Sequence, residues 1–254
     1  MKTKSQILLA MLFFVIACET ENNSSNGIRY PLDYGNFWKY VRKQHISDII
    51  PAYGNITDTV IIDTIHVGVY ENIQPATAPG AIIVTHYLSD SSRGFIDFYS
   101  HTNKGLFCDH SGSTRGLNTM FLFPYRYETY MKMDIFTGIF KSTHEYNFDE
   151  KTLIYPLEIG TRWETNASGE VIKEVIAQEN ININGISADA FKIEYTYKAD
   201  SEASTIEYVS KIGMLKRERI IPNIEIKDPY QSIGPYMANY RETWELIEYD
   251  LVVK

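Results

Sequence analysis

Cysteine is nearly missing from this chain. Two in 254 residues cannot form the disulfide framework that holds a small loop-rich body together. Basic charge is also in deficit: 24 Lys and Arg against 32 Asp and Glu leave a formal charge of −8. No face can then carry enough cations to neutralise a run of phosphates, which excludes nucleic acid as a partner. Glycine (15) and proline (9) are too few for a collagen-like or linker-dominated chain. No P-loop, dinucleotide fingerprint or calcium loop occurs. Beyond the first turns of the chain, no apolar run approaches the eighteen or so residues of a membrane span. What remains is a composition typical of folded proteins, 44% hydrophobic and 22% charged, with an aromatic share of 19 Tyr, 12 Phe and 3 Trp.

Lys2 and Lys4 precede an eleven-residue apolar run at 7–17. At 1.5 Å rise this reaches about half way across a bilayer core of roughly 30 Å, so it reads as the core of a cleaved signal helix. It ends in Val15, Ile16, Ala17 and Cys18, which resembles the lipobox of bacterial lipoproteins. The resemblance implies that the chain is cut before Cys18, whose sulfur and new amine become acylated. Residues 1–17 are then a signal peptide, and the mature chain, without Lys2 and Lys4, carries −10 in place of −8. Acyl chains at about 0.8 kcal/mol per buried CH₂ make Cys18 a firm membrane anchor. Residues 18–28 are polar almost throughout and read as a flexible tether. Glu19 and Glu21 resemble the acidic export signal of some surface-exposed lipoproteins. The expected location is the bacterial cell envelope, lipid-anchored at the outer membrane, on its periplasmic or surface face.

The body looks duplicated. Residues 30–38 (YPLDYGNFW) recur at 155–163 (YPLEIGTRW), with five of nine positions identical and two of the three Trp included. A second echo pairs Tyr99, Lys104 and Gly105 with Tyr208, Lys211 and Gly213. The expectation is two related β modules, 29–150 and 151–254. Each opening motif joins a Pro that fixes φ to a Gly that permits positive φ, then a Trp that starts an extended segment. Period-two patterning recurs downstream. Phe191, Ile193, Tyr195 and Tyr197 alternate with Lys192, Glu194, Thr196 and Lys198, the signature of a half-buried strand. Similar runs are expected at 38–46, 60–70, 82–88, 95–99, 171–177, 205–210, 214–220 and 240–253. Asn184-Gly185 and Ser168-Gly169 supply hairpin turns. The fold class is all-β, mainly antiparallel, and the pattern leaves open whether the halves share one sheet.

Excursions are expected at 111–140 and 222–239, and a solvated linker around Asp149 and Glu150. Residues 117–140 combine seven Phe or Tyr with three Met. Phe121, Phe123, Tyr125, Tyr127 and Tyr130 could line a ligand or partner surface, or fill the join between the halves. Trp38 and Trp163 could be ligand platforms or simple packing. All six His (45, 66, 86, 101, 110 and 144) lie in the first half. His66 and His86 could meet across a ladder, with His101, Asp109 and His110 nearby, and such a cluster would suit Zn²⁺. Cys108 and His110 would share a face of a strand, with Cys108 read as a small buried residue. No catalytic set, metal site or cofactor is assigned.

The opening pattern Tyr-Pro-Leu-x-x-Gly-x-x-Trp, with the later stretch at 210–216 (SKIGMLK), resembles uncharacterised bacterial lipoproteins built from such modules. Some of these look like lipoprotein-carrier-type half-barrels that cradle acyl chains. The resemblance offers no catalytic residues. The expected role is non-enzymatic, binding a protein, glycan or lipid-like apolar ligand. The alternative is an envelope hydrolase or metal-dependent enzyme using first-module His and Asp residues.

Overall fold

A computed structural model describes residues 28–50, 58–71, 80–87, 90–113, 133–134, 139–140, 146–165, 171–198, 201–227 and 236–252. They form strands β1 (Phe37–Ile50), β2 (Thr59–Glu71), β3 (Gly80–Tyr87), β4 (Asp90–Thr102), β5 (Gly105–Ser113), β6 (Met133–Asp134), β7 (Ile139–Phe140), β8 (Tyr146–Ile154), β9 (Arg162–Glu164), β10 (Val171–Ile183), β11 (Ile186–Tyr197), β12 (Ser204–Ser210), β13 (Gly213–Lys227) and β14 (Tyr236–Asp250). All belong to one 14-stranded sheet, whose main path runs β8-β5-β4-β3-β2-β1-β14-β13-β12-β11-β10-β9. Every pairing is antiparallel except the short contact of β6 with β13. The halves therefore share a single sheet. Among the described residues no helix is long and apolar enough to cross a membrane.

The path curls until its ends meet. The Lys151 N–H on β8 donates to the Thr165 carbonyl just after β9 at 2.8 Å. Beside it, Trp163 Nε1–H donates to the Lys151 carbonyl at 3.0 Å, and Lys173 Nζ to the Thr152 carbonyl at 2.9 Å. Closing a sheet in this way removes exposed edges that would otherwise recruit other chains. The sixth strand on the path of each half lies against the first strand of the other: β14 on β1, and β8 beside β9.

The two opening motifs make the same turn. Gly35 and Gly160 have φ of 93° and 88°. Asn36 N–H donates to the Asp33 carbonyl at 3.1 Å, and Thr161 N–H to that of Glu158 at 2.9 Å. Gly35 and Gly160 then donate to Val69 and Val175 on the neighbouring strands, at 3.0 and 2.7 Å. Each opening also leans on a hairpin of the other half. The Tyr40 hydroxyl donates to the Met214 carbonyl at 2.9 Å and Trp38 Nε1–H to the Ile212 carbonyl at 2.6 Å, while Tyr155 N–H donates to the Lys104 carbonyl at 2.9 Å.

Alternation sorts the side chains. On β1, Trp38, Tyr40, Arg42, Gln44 and Ile46 point inward and are fully buried. The lower end of the ring, where Ile28, Tyr30 and Leu251 pack, holds a large apolar core that includes Trp38, Tyr40, Tyr99, Leu106, Val209 and Leu246. A smaller cluster of Ile46, Ile49, Ile221, Ile224, Tyr236, Ala238 and Tyr240 sits further up. Between them lies a polar layer.

Strand expectations at 60–70, 82–88, 95–99, 171–177, 205–210, 214–220 and 240–253 correspond to β2, β3, β4, β10, β12, β13 and β14, most of them longer than pattern alone suggests. Phe191, Ile193, Tyr195 and Tyr197 are buried as a face. Asn184-Gly185 turns β10 into β11 with φ of 52° and 86°, the type I′ signature. Other expectations need correction. The small-residue loop at 111–116 begins inside β5, which continues to Ser113. Asp149 and Glu150 lie in β8, not in a linker, because β5 offers an unpaired edge and takes this segment as a partner. Of the excursion expected at 222–239, residues 222–227 belong to β13 and 236–239 to β14, and 228–235 lie outside the described residues. Pro222, which has no N–H to give a ladder, is absorbed at a register shift between Ile221 and Ile224. Cys18, the signal, most of the tether and Ser168-Gly169 fall outside the described residues.

Candidate functional site

The polar layer is built from two rungs crossing the sheet. In one, the register sets Asp63 (β2), Arg42 (β1), Trp244 (β14), Arg217 (β13) and Glu207 (β12) side by side. In the next stand Gln44, Glu242, Arg219 and Thr205. Period two forces these residues inward because their same-parity neighbours on each strand, such as Tyr40 and Ile46 or Leu215 and Ile221, fill the apolar layers above and below. Arg42, Arg217, Glu207 and Glu242 have no exposed surface.

Buried charge is tolerable only when paired and hydrogen-bonded. Arg42 Nη2 donates to Asp63 Oδ2 at 2.6 Å and lies across from Glu242, with Nη1 to Oε2 at 3.9 Å. Glu242 is the hub. It accepts from Arg219 Nη1 at 3.4 Å and from the Tyr240 hydroxyl at 2.9 Å, and faces Arg217 Nη2 at 3.7 Å. Gln44 Nε2 donates to the Tyr240 oxygen at 2.8 Å. Glu207 accepts a 2.5 Å hydrogen bond from Tyr195 and faces Arg217 Nη1 at 3.8 Å. The Arg217 guanidinium makes no hydrogen bond among the described residues; it lies on the Trp244 ring, 4.3 Å from the centroid. Lys173 Nζ lies over the Tyr195 ring at 4.3 Å.

Burial alone would raise the Glu242 carboxyl pKa, but the guanidiniums of Arg219, Arg217 and Arg42 outweigh it and hold the group below the usual carboxylate range. Burial, reinforced by the Glu207 carboxylate, pushes the Tyr195 phenol well above its ordinary value. Tyr40 is raised too, chiefly by burial. Glu242 is therefore held as a carboxylate at the centre of the layer, whose contacts tie β2, β1, β14, β13 and β12 together across the junction of the halves.

Trp38 is completely enclosed, and Trp163 is 6% exposed. Each gives its indole N–H to a main-chain carbonyl, so neither ring presents a free face. They lie in one core with Leu157, Tyr30 and Val175, Trp38 on β1 at the middle of the strand path and Trp163 on β9 at its end. Phe121, Phe123, Tyr125, Tyr127 and Tyr130 fall outside the described residues. His66 stands directly opposite His86 in the β2–β3 ladder. His101 lies elsewhere, accepting from Arg29 Nε at 2.9 Å; burial, then the Arg29 charge, pushes its pKa down to about 4. Among the described residues no group of three His, Cys, Asp or Glu converges as metal ligands would. Cys108 is buried as a free thiol, and a register shift falls between Cys108 and His110 on β5. The polar layer was missed because Arg and Glu read as outward residues. The parity of their strands was the available signal.

No family model matches the chain, and no curated protein does. Among solved structures, distant similarity links it to a protein described as a lipoprotein from Parabacteroides distasonis, at 15% identity over 88% of this chain and 99% of that one, with a TM-score of 0.35. An exported protein with a YmcC-like fold from Bacteroides fragilis matches at 12% identity over 88% and 99%, TM-score 0.32. An outer membrane lipoprotein-sorting protein domain from Vibrio parahaemolyticus matches at 11% identity over 86% of each chain, TM-score 0.24. No residue role is carried over from them.

Proposed function

We propose that this chain is a non-enzymatic, lipid-anchored binding protein of the bacterial cell envelope. It hangs from the outer membrane by Cys18 and offers its ligand the end of the ring furthest from the tether. The ligand is a protein, a glycan or an apolar molecule. The observation that carries the reading is the direction of the strands. Ile28 and Tyr30 pack at the end where Leu106, Leu153 and Met214 lie. Ser113, which ends β5, Tyr146, which begins β8, and the β13–β14 connection are at the other. Met133 and Asp134 of the intervening chain pair with Ile226 and Lys227 there, on a strand six places from β5 along the path. We assign Phe121, Phe123, Tyr125, Tyr127 and Tyr130, which belong to the same connection, to the ligand surface. Trp38 and Trp163 we leave to the core. The matching turns at Gly35 and Gly160 support descent of the halves from one duplicated module.

Mass spectrometry of the amino terminus tests the anchor, with diacylglyceryl Cys18 expected and release of the Cys18→Ala chain from membranes. A Phe121→Ala/Tyr125→Ala chain should keep its melting temperature while losing co-purified ligand. The register of His66 opposite His86 favours a second reading, a metal-dependent enzyme. Stoichiometric zinc that disappears in His66→Ala and His86→Ala would replace the binding-protein reading.

A further inference from the structure

On the outer face of the sheet, both neighbours of β14 break register near the same height. β1 slips between Ser47 and Ile50, and β13 between Ile221 and Ile224. Each slip holds a left-handed residue that is not glycine, Asp48 at φ 56° and Asn223 at φ 51°. Asp and Asn are the non-glycine residues that enter this conformation most readily. Asn239 on β14 ties the two slips together. Its Nδ2 donates to Asp48 Oδ2 at 2.8 Å, and its Oδ1 accepts from the Asn223 N–H at 3.3 Å. Paired bulges of this kind re-aim side chains. Here they border a groove of about 420 Å³, lined by His45, Ser47, Ile220, Pro222, Asn239 and Arg241. Sites for small ligands typically measure about 300–1,000 Å³.

The groove has a chemical character of its own. The register sets His45 opposite Arg241 and Arg241 opposite Ile220. Two basic side chains facing one another across a strand pair gain from a shared anion. The nearest carboxylate to His45 is Asp58, at 4.0 Å and itself exposed, while Arg241 has neither an ion pair nor a hydrogen bond among the described residues. The Asp48 carboxylate is engaged by Asn239 and by the Ser47 hydroxyl at 3.2 Å. Ile220, 39% exposed, and Pro222 furnish an apolar wall. We propose that this groove binds a small carboxylate-bearing molecule, its carboxylate held between Arg241 and His45 and its apolar body against Ile220 and Pro222. The assignment is independent of the lipid anchor and of the chain between β5 and β8.

Residue-resolved NMR titration of the full chain in detergent solution tests it, with benzoate as the probe and benzamide as its uncharged counterpart. Benzoate should shift the amides of His45, Ser47, Asn239 and Arg241 saturably, and benzamide should not. Arg241→Gln, at an exposed position that leaves the core alone, should weaken benzoate by about tenfold without changing the melting temperature. No saturable shift, an equal response to benzamide, or undiminished affinity in Arg241→Gln would each overturn the proposal.

Discussion

Gly213 opens β13 with φ of 111°, and a Cβ placed there would sit 2.5 Å from Trp38 Nε1 and 3.0 Å from Cε2. The indole cannot step aside. It is fully buried, and its N–H is spent on the Ile212 carbonyl one residue before the glycine. Gly160 makes a matched control: its φ is 88° and nothing lies within 4 Å of its would-be Cβ. Gly160→Ala thus reports backbone strain alone, about 1–2 kcal/mol. Gly213→Ala adds overpacking of a closed core, about 1–3 kcal/mol, and a damaged buried hydrogen bond, about 1–3 kcal/mol. The two variants should therefore differ by about 2–6 kcal/mol. At about 2–4 °C per kcal/mol for a chain of this size, that separates their melting temperatures by roughly 4–24 °C. Urea denaturation followed by circular dichroism and by tryptophan emission measures both. Equal destabilisation within about 0.5 kcal/mol would falsify the claim that close approach of Gly213 to Trp38 locks the halves together.

The remaining predictions concern titration. Glu242 has its pKa depressed on folding, so its contribution is present at neutral pH and is lost as pH falls through its folded value. Glu242→Gln should flatten the fall of melting temperature on acidification below about pH 5, whereas Glu242→Ala, which strips three arginines of a shared carboxylate, should cost about 3–5 kcal/mol at neutral pH. His101 should titrate near 4 by NMR because burial and Arg29 disfavour its charge, and Arg29→Ala should raise that midpoint. An unchanged midpoint would remove Arg29 from the account. Burial pushes Tyr155 up to about 12, holds Tyr30 higher still and raises Tyr40 well above its ordinary value. Their raised values contribute stability below about pH 10 that is lost above it, so phenolate absorbance from these groups should appear only with alkaline unfolding.

The sequence carried the strands well because alternation survives wherever one face is buried. Phe191, Ile193, Tyr195 and Tyr197 needed no tertiary information. β8 was illegible for the opposite reason. Its segment YNFDEKTLI is mostly polar and becomes a strand because β5 supplies an edge. Pro222 misled through a sound rule, since proline does interrupt a ladder, but the bulge beside it accommodates the missing donor. The polar layer was legible in principle. Once Trp38, Tyr40 and Ile46 are set inward, Arg42 and Gln44 must follow, and likewise Arg217 and Arg219 between Leu215 and Ile221. Which carboxylates meet those arginines depends on the registers of five strands, and no single strand encodes that.

The junction of β1 with β14 also sets a timetable. Lys39 and Glu248, partners across it, are 209 residues apart in the chain. The first strand made thus waits for the last, its backbone edge unsatisfied until almost the whole chain is available. Contacts so remote in sequence form slowly, and an open edge in the meantime invites aggregation. The half-made chain cannot close early, because the ring is complete only once β14 reaches β1.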